Sequence, residues 1–170
     1  MASRYSITRR ERETRMTATI SREQQLNEAE AACLRRGAKL TPLRRQVLDL
    51  ILASDSPVGA YALLDRLKAD RPGAAPPTVY RALDFLLEHG LIHKVERLNA
   101  FIGCTESGHG HGHDHDHPHQ FLICRRCGAT VEIADHAVAD AIAAAATRAG
   151  FTAVEATVEI EGICARCGTA

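Results

Sequence analysis

The 170-residue chain carries 21 Lys+Arg against 21 Asp+Glu, with 45% hydrophobic residues, six cysteines, nine histidines and no tryptophan. Such a length holds one or two small domains, neither with a generous core, and no stretch approaches the 18 or more apolar residues of a membrane span. The first twenty residues lack the apolar run of a signal peptide, which predicts a protein of the reducing cytoplasm and argues against a disulfide framework.

Charge is unevenly divided along the chain. Residues 1–98 hold 17 Lys+Arg against 12 Asp+Glu, and residues 99–170 hold 4 against 9. The basic half is the candidate for a polyanionic partner. Residues 1–20 read as a disordered arm, because several of these arginines crowd into positions 4–15. Met16 is an alternative start, and the arm is assigned no function.

Ser21-Arg-Glu-Gln24 has the pattern of a capping box, and Leu26, Ala29 and Cys33 then recur on one helical face until Gly37. Cys33 on that stripe reads as a small core residue. Thr41-Pro42 is a cap followed by proline at the first helical position, with Leu43, Val47, Leu50 and Ile51 as the buried face of a second helix. A third helix carries Leu63, Leu64 and Leu67 and stops before Pro72-Gly73. The fourth begins near Pro76-Pro77-Thr78 and runs to Gly90, with Val79, Leu83, Leu86 and Leu87 inward and Tyr80, Arg81 and Asp84 outward. Leu91 to Ile102 reads as two short strands turning near Asn99. Small helices followed by a hairpin outline a winged helix-turn-helix over residues 21–98.

Residues 99–119 read as a hinge and a histidine-rich loop. Within it, Ser107 to His119 holds six histidines and two aspartates among glycines, which is either metal-binding chemistry or a flexible polar connector. Residues 120–170 form a third region. Phe121 to Ile123 and Thr130 to Ile133 are short strands, Asp135 caps an alanine-rich helix reaching Gly150, and Phe151 to Ile160 alternates as a longer strand. A small sheet with an exposed face or edge favours pairing with a second copy, so this region is the expected dimerisation domain.

Two cysteine pairs, Cys124-Arg-Arg-Cys127 and Cys164-Ala-Arg-Cys167, stand 36 residues apart. Four thiolates in two such knuckles make a closed tetrahedral zinc site, with two disulfides or four buried thiols as the alternative. The loop between them is long enough to be a subdomain that the metal staples shut. The expected class is thus α+β, a winged helix-turn-helix followed by a small α/β dimerisation domain with a four-cysteine zinc site.

The run from Pro76-Pro-Thr-Val-Tyr-Arg-Ala-Leu83 to Leu91-Ile-His-Lys-Val-Glu96, taken with both knuckles, resembles the ferric uptake regulator superfamily, and within it the zinc uptake regulator subfamily. The resemblance spans about residues 22–168. It implies a homodimeric, metal-dependent DNA-binding repressor. It also implies that the helix over 77–89 enters the major groove with Thr78, Tyr80 and Arg81 at the DNA and Tyr61 touching it from the preceding helix. An outward arginine there can hold guanine O6 and N7 with two hydrogen bonds.

For a second, regulatory zinc the resemblance implies His93 and Cys104 from the hairpin with His117 and Glu132 beyond it. A set of one sulfur, two nitrogens and one oxygen suits Zn²⁺ better than Fe²⁺ or Mn²⁺. Because the loop repeats histidine, His119, His115 or His113 is a substitute for His117. The expectation is therefore two zinc ions per subunit, one structural and one regulatory, with extra weak sites in the loop. The expected function is a zinc-responsive repressor that binds a palindromic operator on double-stranded DNA as a zinc-loaded dimer and controls zinc-uptake genes. The alternative is a zinc-buffering or metal-delivery protein using the His-rich loop. An enzyme is disfavoured, since both candidate sites offer four protein ligands and a catalytic zinc keeps one position for water.

Overall fold

The computed structural model describes residues 21–104, 119–154 and 156–168. The N-terminal arm, the histidine-rich segment over 105–118 and with it His117 lie outside the described residues. Helix α1 (Arg22–Arg35) starts on the capping box: the Ser21 hydroxyl accepts from the Gln24 amide at 3.2 Å, and the Gln24 side chain accepts from the Ser21 amide at 2.8 Å. It buries Leu26, Ala29 and Cys33. Helix α2 (Pro42–Leu52) starts at Thr41 with proline in its first turn. Its buried residues are Val47, Leu48 and Ile51, with Leu43 and Leu50 half-buried, so Leu48 is added to the expected face. Leu43 and Leu50 still pack against the helical core, and Leu48 is buried as well because α2 touches α1, the next two helices and the hairpin.

Helix α3 (Ala60–Asp70) buries Leu63, Leu64 and Leu67. Helix α4 (Pro76–Glu88) buries Val79, Ala82, Leu83, Phe85 and Leu86 and leaves Tyr80, Arg81 and Asp84 exposed, with Leu87 at the margin. The hairpin follows as β1 (Ile92–Val95), a 3-10 turn (Glu96–Leu98) and β2 (Ala100–Gly103), antiparallel with His93 opposite Ile102. Asn99 takes the left-handed conformation at φ 45°, which its short polar side chain tolerates at a tight turn. The wing thus continues to Gly103, past the residue 98 at which the sequence reading ends the winged helix, because β2 hydrogen-bonds along the whole of β1. Val58 bridges to the outer side of β2 by exchanging two backbone hydrogen bonds with Phe101, at 2.8 and 2.9 Å. A Cβ on Gly103 would stand 2.5 Å from Leu52 Cδ2, so glycine lets β2 lie against the end of α2.

The second module is a three-stranded sheet ordered β4-β3-β5. Central β3 (His119–Cys124) pairs antiparallel with β4 (Thr130–Ile133) and parallel with β5 (Thr157–Gly162). The parallel pair needs a crossover, and α5 (His136–Arg148), capped by Asp135, supplies it. The final strand begins at Thr157 rather than at the expected Phe151. Gly150 adopts φ +80° and the Phe151 amide donates to the Ala146 carbonyl at 2.9 Å, so Phe151 is taken up in closing the helix. A last turn, α6 (Ala165–Gly168), carries the second knuckle.

The sheet has two unlike faces. On one, Phe121 and Ile123 pack with Val95 and Ile102 of the hairpin, in a cluster separate from the helical core. On the other, Leu122 is paired across the strands with Val131 and Ile160, and these three are 40%, 56% and 46% exposed. Alternation along β3 therefore aims Phe121 and Ile123 at the wing and leaves Leu122 open to solvent on the other face, whereas Gln120 and Cys124 beside it are buried.

Candidate metal centres and nucleic-acid interface

Cys124 ends β3, Cys127 lies three residues on in the following turn, and Cys164 and Cys167 flank the start of α6. The four Sγ atoms all lie within 4.8 Å of one another. Cys127 Sγ stands 3.7 Å from Cys164 Sγ, against about 3.8 Å for the S···S edge of a tetrahedron with Zn–S of about 2.3 Å. Backbone amides of the knuckles converge on sulfur, as where the Cys164 amide donates to Cys124 Sγ at 3.4 Å. Hydrogen bonds from the Cys164 and Cys127 amides pull the Cys124 thiol down to about 6. Cys127 is lowered by the Ala129 amide and by Arg166, whose Nη2 lies 3.7 Å from its sulfur. Cys167 is pushed up to about 12 by hydrogen bonding to Cys127 and Cys164. The crowded sulfurs thus favour the thiolate at Cys124 and Cys127 and disfavour it at Cys167. A divalent cation held by four thiolates removes that conflict, so this donor set fits zinc.

The second cluster joins the two modules. His93 projects from β1, Cys104 follows β2, and Glu132 comes from β4, with their ligand atoms within 4.8 Å of one another. The Cys104 amide donates to the Leu91 carbonyl at 3.1 Å, which extends the hairpin register and brings Cys104 beside His93. His93 Nε2 and Glu132 Oε1 are 3.1 Å apart, and their side chains are 9% and 4% exposed. Burial works to lower the His93 pKa, but hydrogen bonds with Cys104 and Glu132 outweigh it and push the imidazole up to about 9. The same groups that favour a positive imidazole here, a thiol and a carboxylate, are groups that would ligate a cation. His119, the first residue of β3, lies beside this cluster with its ring centroid 4.4 Å from that of His93. The chemistry of one thiol, one carboxylate and imidazole fits zinc here as well.

Of the expected DNA-reading residues, Tyr61, Tyr80 and Arg81 are exposed and Thr78 is half-buried. Tyr61 in the first turn of α3 is 70% exposed and Tyr80 on α4 is 44% exposed, with Arg81 exposed beside it. Thr78 is half-buried in a groove of about 290 Å³ lined also by Thr41, Leu43, Arg44, Arg81 and Ala82. Arg44 is an addition that the sequence reading does not single out. Its guanidinium lies 3.6 Å from the centre of the Phe85 ring, which fixes a cation beside Arg81. The one sequence signal for it is its place in the first turn after the Thr41-Pro42 cap.

A winged helix whose hairpin feeds a metal cluster, joined to a module closed by a thiolate cluster, defines a metal-dependent DNA-binding regulator. A profile of the ferric uptake regulator family matches residues 35–161. The chain belongs to the ferric uptake regulator family. Within it, the zinc uptake regulation protein of Escherichia coli K12 is 42% identical over 142 residues, covering 84% of this chain and 80% of its own length. That of Mycobacterium tuberculosis H37Rv is 35% identical over 134 residues, 77% and 95% of the two chains. Among solved structures, a zinc uptake regulator complexed with zinc and DNA superposes with a TM-score of 0.81 at 40% identity, over 88% of this chain and 96% of that one. Holo XcZur gives 0.77 at 42% identity, over 88% and 100%.

Proposed function

We propose that this protein is a zinc-responsive transcriptional repressor of zinc-uptake genes, acting in the cytoplasm as a homodimer on a palindromic operator. The observation that carries this reading is the convergence of His93 and Cys104 from the wing with Glu132 from the sheet. Ligands drawn from two modules make the arrangement of those modules depend on what the cluster holds. Zinc, when bound, supplies a positive centre for imidazole, thiolate and carboxylate at once. His93 and Cys104 then hold the wing to the sheet in one orientation, and α4 presents Tyr80 and Arg81 to the major groove, with Thr78 and Tyr61 at its margins.

We take two zinc ions per subunit: a structural ion on Cys124, Cys127, Cys164 and Cys167, and a regulatory ion on His93, Cys104, Glu132 and a histidine. His117 is the family's position for that histidine, and the proximity of His119 to His93 supports it as the substitute. The exposed row of Leu122, Val131 and Ile160 supports a second copy as the cover of the sheet. Two recognition helices then address half-sites about 34 Å apart. With four protein ligands closing each ion, neither site is assigned catalysis. Among the described residues no helix is long and apolar enough to cross a membrane.

A gel-shift titration on a palindromic duplex with buffered free zinc, iron(II) and manganese(II) tests the reading. Zinc is expected to raise the affinity most. Equal affinity with zinc and with chelator refutes it, and tight zinc uptake without any DNA affinity would return the zinc-buffering alternative.

A further inference from the structure

Among the described residues, carboxylates of the sheet reach the two ends of the wing, and only one of these contacts involves the regulatory cluster. Across the sheet, Phe121 of β3 is paired with Glu132 of β4 on one side and with Glu159 of β5 on the other, so both carboxylates flank it on the face turned to the wing. Glu132 reaches His93 at the base of β1. Glu159 reaches the far end of the hairpin, where its Oε1 accepts from the Glu96 amide at 2.6 Å and its Oε2 from the Arg97 amide at 3.0 Å. These are the first two amides of the 3-10 turn, which has no side-chain cap of its own, so a carboxylate from another module does the capping. Arg97 adds a salt bridge to Glu161, which also lies 3.8 Å from Arg125. Val95, Ile102, Phe121 and Ile123 fill the space between the two contacts.

We propose that Glu159 is a positioning residue of the zinc switch: it pins the tip of the wing to β5 without metal, so that zinc has only to secure the base. This rests on the regulatory reading of His93, Cys104 and Glu132. A wing tethered at one end samples fewer orientations, and the regulatory cluster then forms at a lower free-zinc level. Arg97 and Glu161 support the same contact, but they are more exposed and therefore more screened.

The test uses the full chain and a duplex selected from a random pool by the zinc-loaded wild-type protein. Glu159→Ala is expected to raise the free-zinc midpoint for binding that duplex on the order of three- to tenfold. Affinity at saturating zinc and the zinc held by the four knuckle cysteines should remain at wild-type levels. Glu159→Gln, which keeps the shape and one acceptor, should shift the midpoint by less. A merely structural role would lower the melting temperature and leave the midpoint in place, and an unmoved midpoint overturns the proposal. If Glu159→Ala does not fold, Glu159→Gln decides, with an unmoved midpoint again the overturning result. Hydrogen exchange reads the pin independently of DNA: the Glu96 and Arg97 amides should be protected in wild type with the regulatory cluster metal-free, and exposed in the variant. Rapid exchange already in that wild-type form overturns the pin. Absence of zinc-dependent DNA binding by the wild type, with those amides protected, instead sinks the regulatory reading and leaves the contact standing.

Discussion

At His93, burial disfavours a charged imidazole, yet Cys104 and Glu132 hold its proton up to about pH 9. Because this folded-state value lies above the ordinary value near 6.5, the proton stabilises the metal-free fold fully below about pH 6.5, and that contribution is lost as pH rises through about 9. Zinc must displace the same proton. Its affinity for this cluster is therefore expected to climb by at least about tenfold per pH unit as pH rises towards about 9, in competition with a chelator of known affinity. A flat profile over that window would falsify the assignment of His93 as a ligand. Arg81, exposed on α4, is expected to act through DNA alone. Arg81→Ala should weaken operator binding by about 1–3 kcal/mol in a gel shift at fixed salt and blur base preference, with zinc content unaltered. Unchanged affinity would remove α4 as the reading helix.

Among the elements, β3 carries the most consequence, because its two faces serve different partners. Phe121 is 1% exposed and fills the cluster between hairpin and sheet. Phe121→Ala should cost about 3–5 kcal/mol in urea unfolding and loosen the wing, whereas Leu122, 40% exposed on the other face, should matter to a single chain far less. A loss under about 1 kcal/mol for Phe121→Ala would mean that the hairpin does not rest on this strand. Helix α5 is the opposite case. Alanine at most of its positions gives a strong helix former with little bulk, and none of its residues is buried in the single chain. Its stability rests on the Asp135 cap, the left-handed Gly150 and whatever covers the module.

At the scale of the whole molecule the two cysteine-containing sites should fail differently. An ion held by four thiolates contributes an apparent 10–16 kcal/mol or so to a small module, so Cys164→Ser should lose the tight zinc and the dimer together. Cys104→Ser should instead keep a folded dimer with its structural zinc and lose the zinc response of DNA binding. Elemental analysis, sedimentation and a zinc-buffered gel shift separate the two outcomes. A zinc-replete dimer of Cys164→Ser, or an unmoved zinc midpoint for Cys104→Ser, contradicts the respective role.

Helix starts, the knuckles and the hairpin turn are legible in the chain because each depends on residues a few positions apart: Ser21 with Gln24, Thr41 with Pro42, Cys124 with Cys127, and Asn99 at its turn. The inward residues of α1 and α3, and Val79, Leu83 and Leu86 of α4, follow from periodicity for the same reason, whereas Ala82 and Phe85 of α4 do not. Leu48 does not, since it is buried only because α2 has neighbours on several sides. Nor does the true start of β5, where Gly150 and Phe151 finish a helix before a strand can begin. The regulatory ligand set is reached through a family likeness rather than through spacing, and only the packing of the hairpin on the sheet brings His93, Cys104 and Glu132 within one cluster. Glu159 has no signature at all: a carboxylate capping amides 62 and 63 positions away is set by the tertiary pairing of Phe121 with β5, which no local pattern encodes.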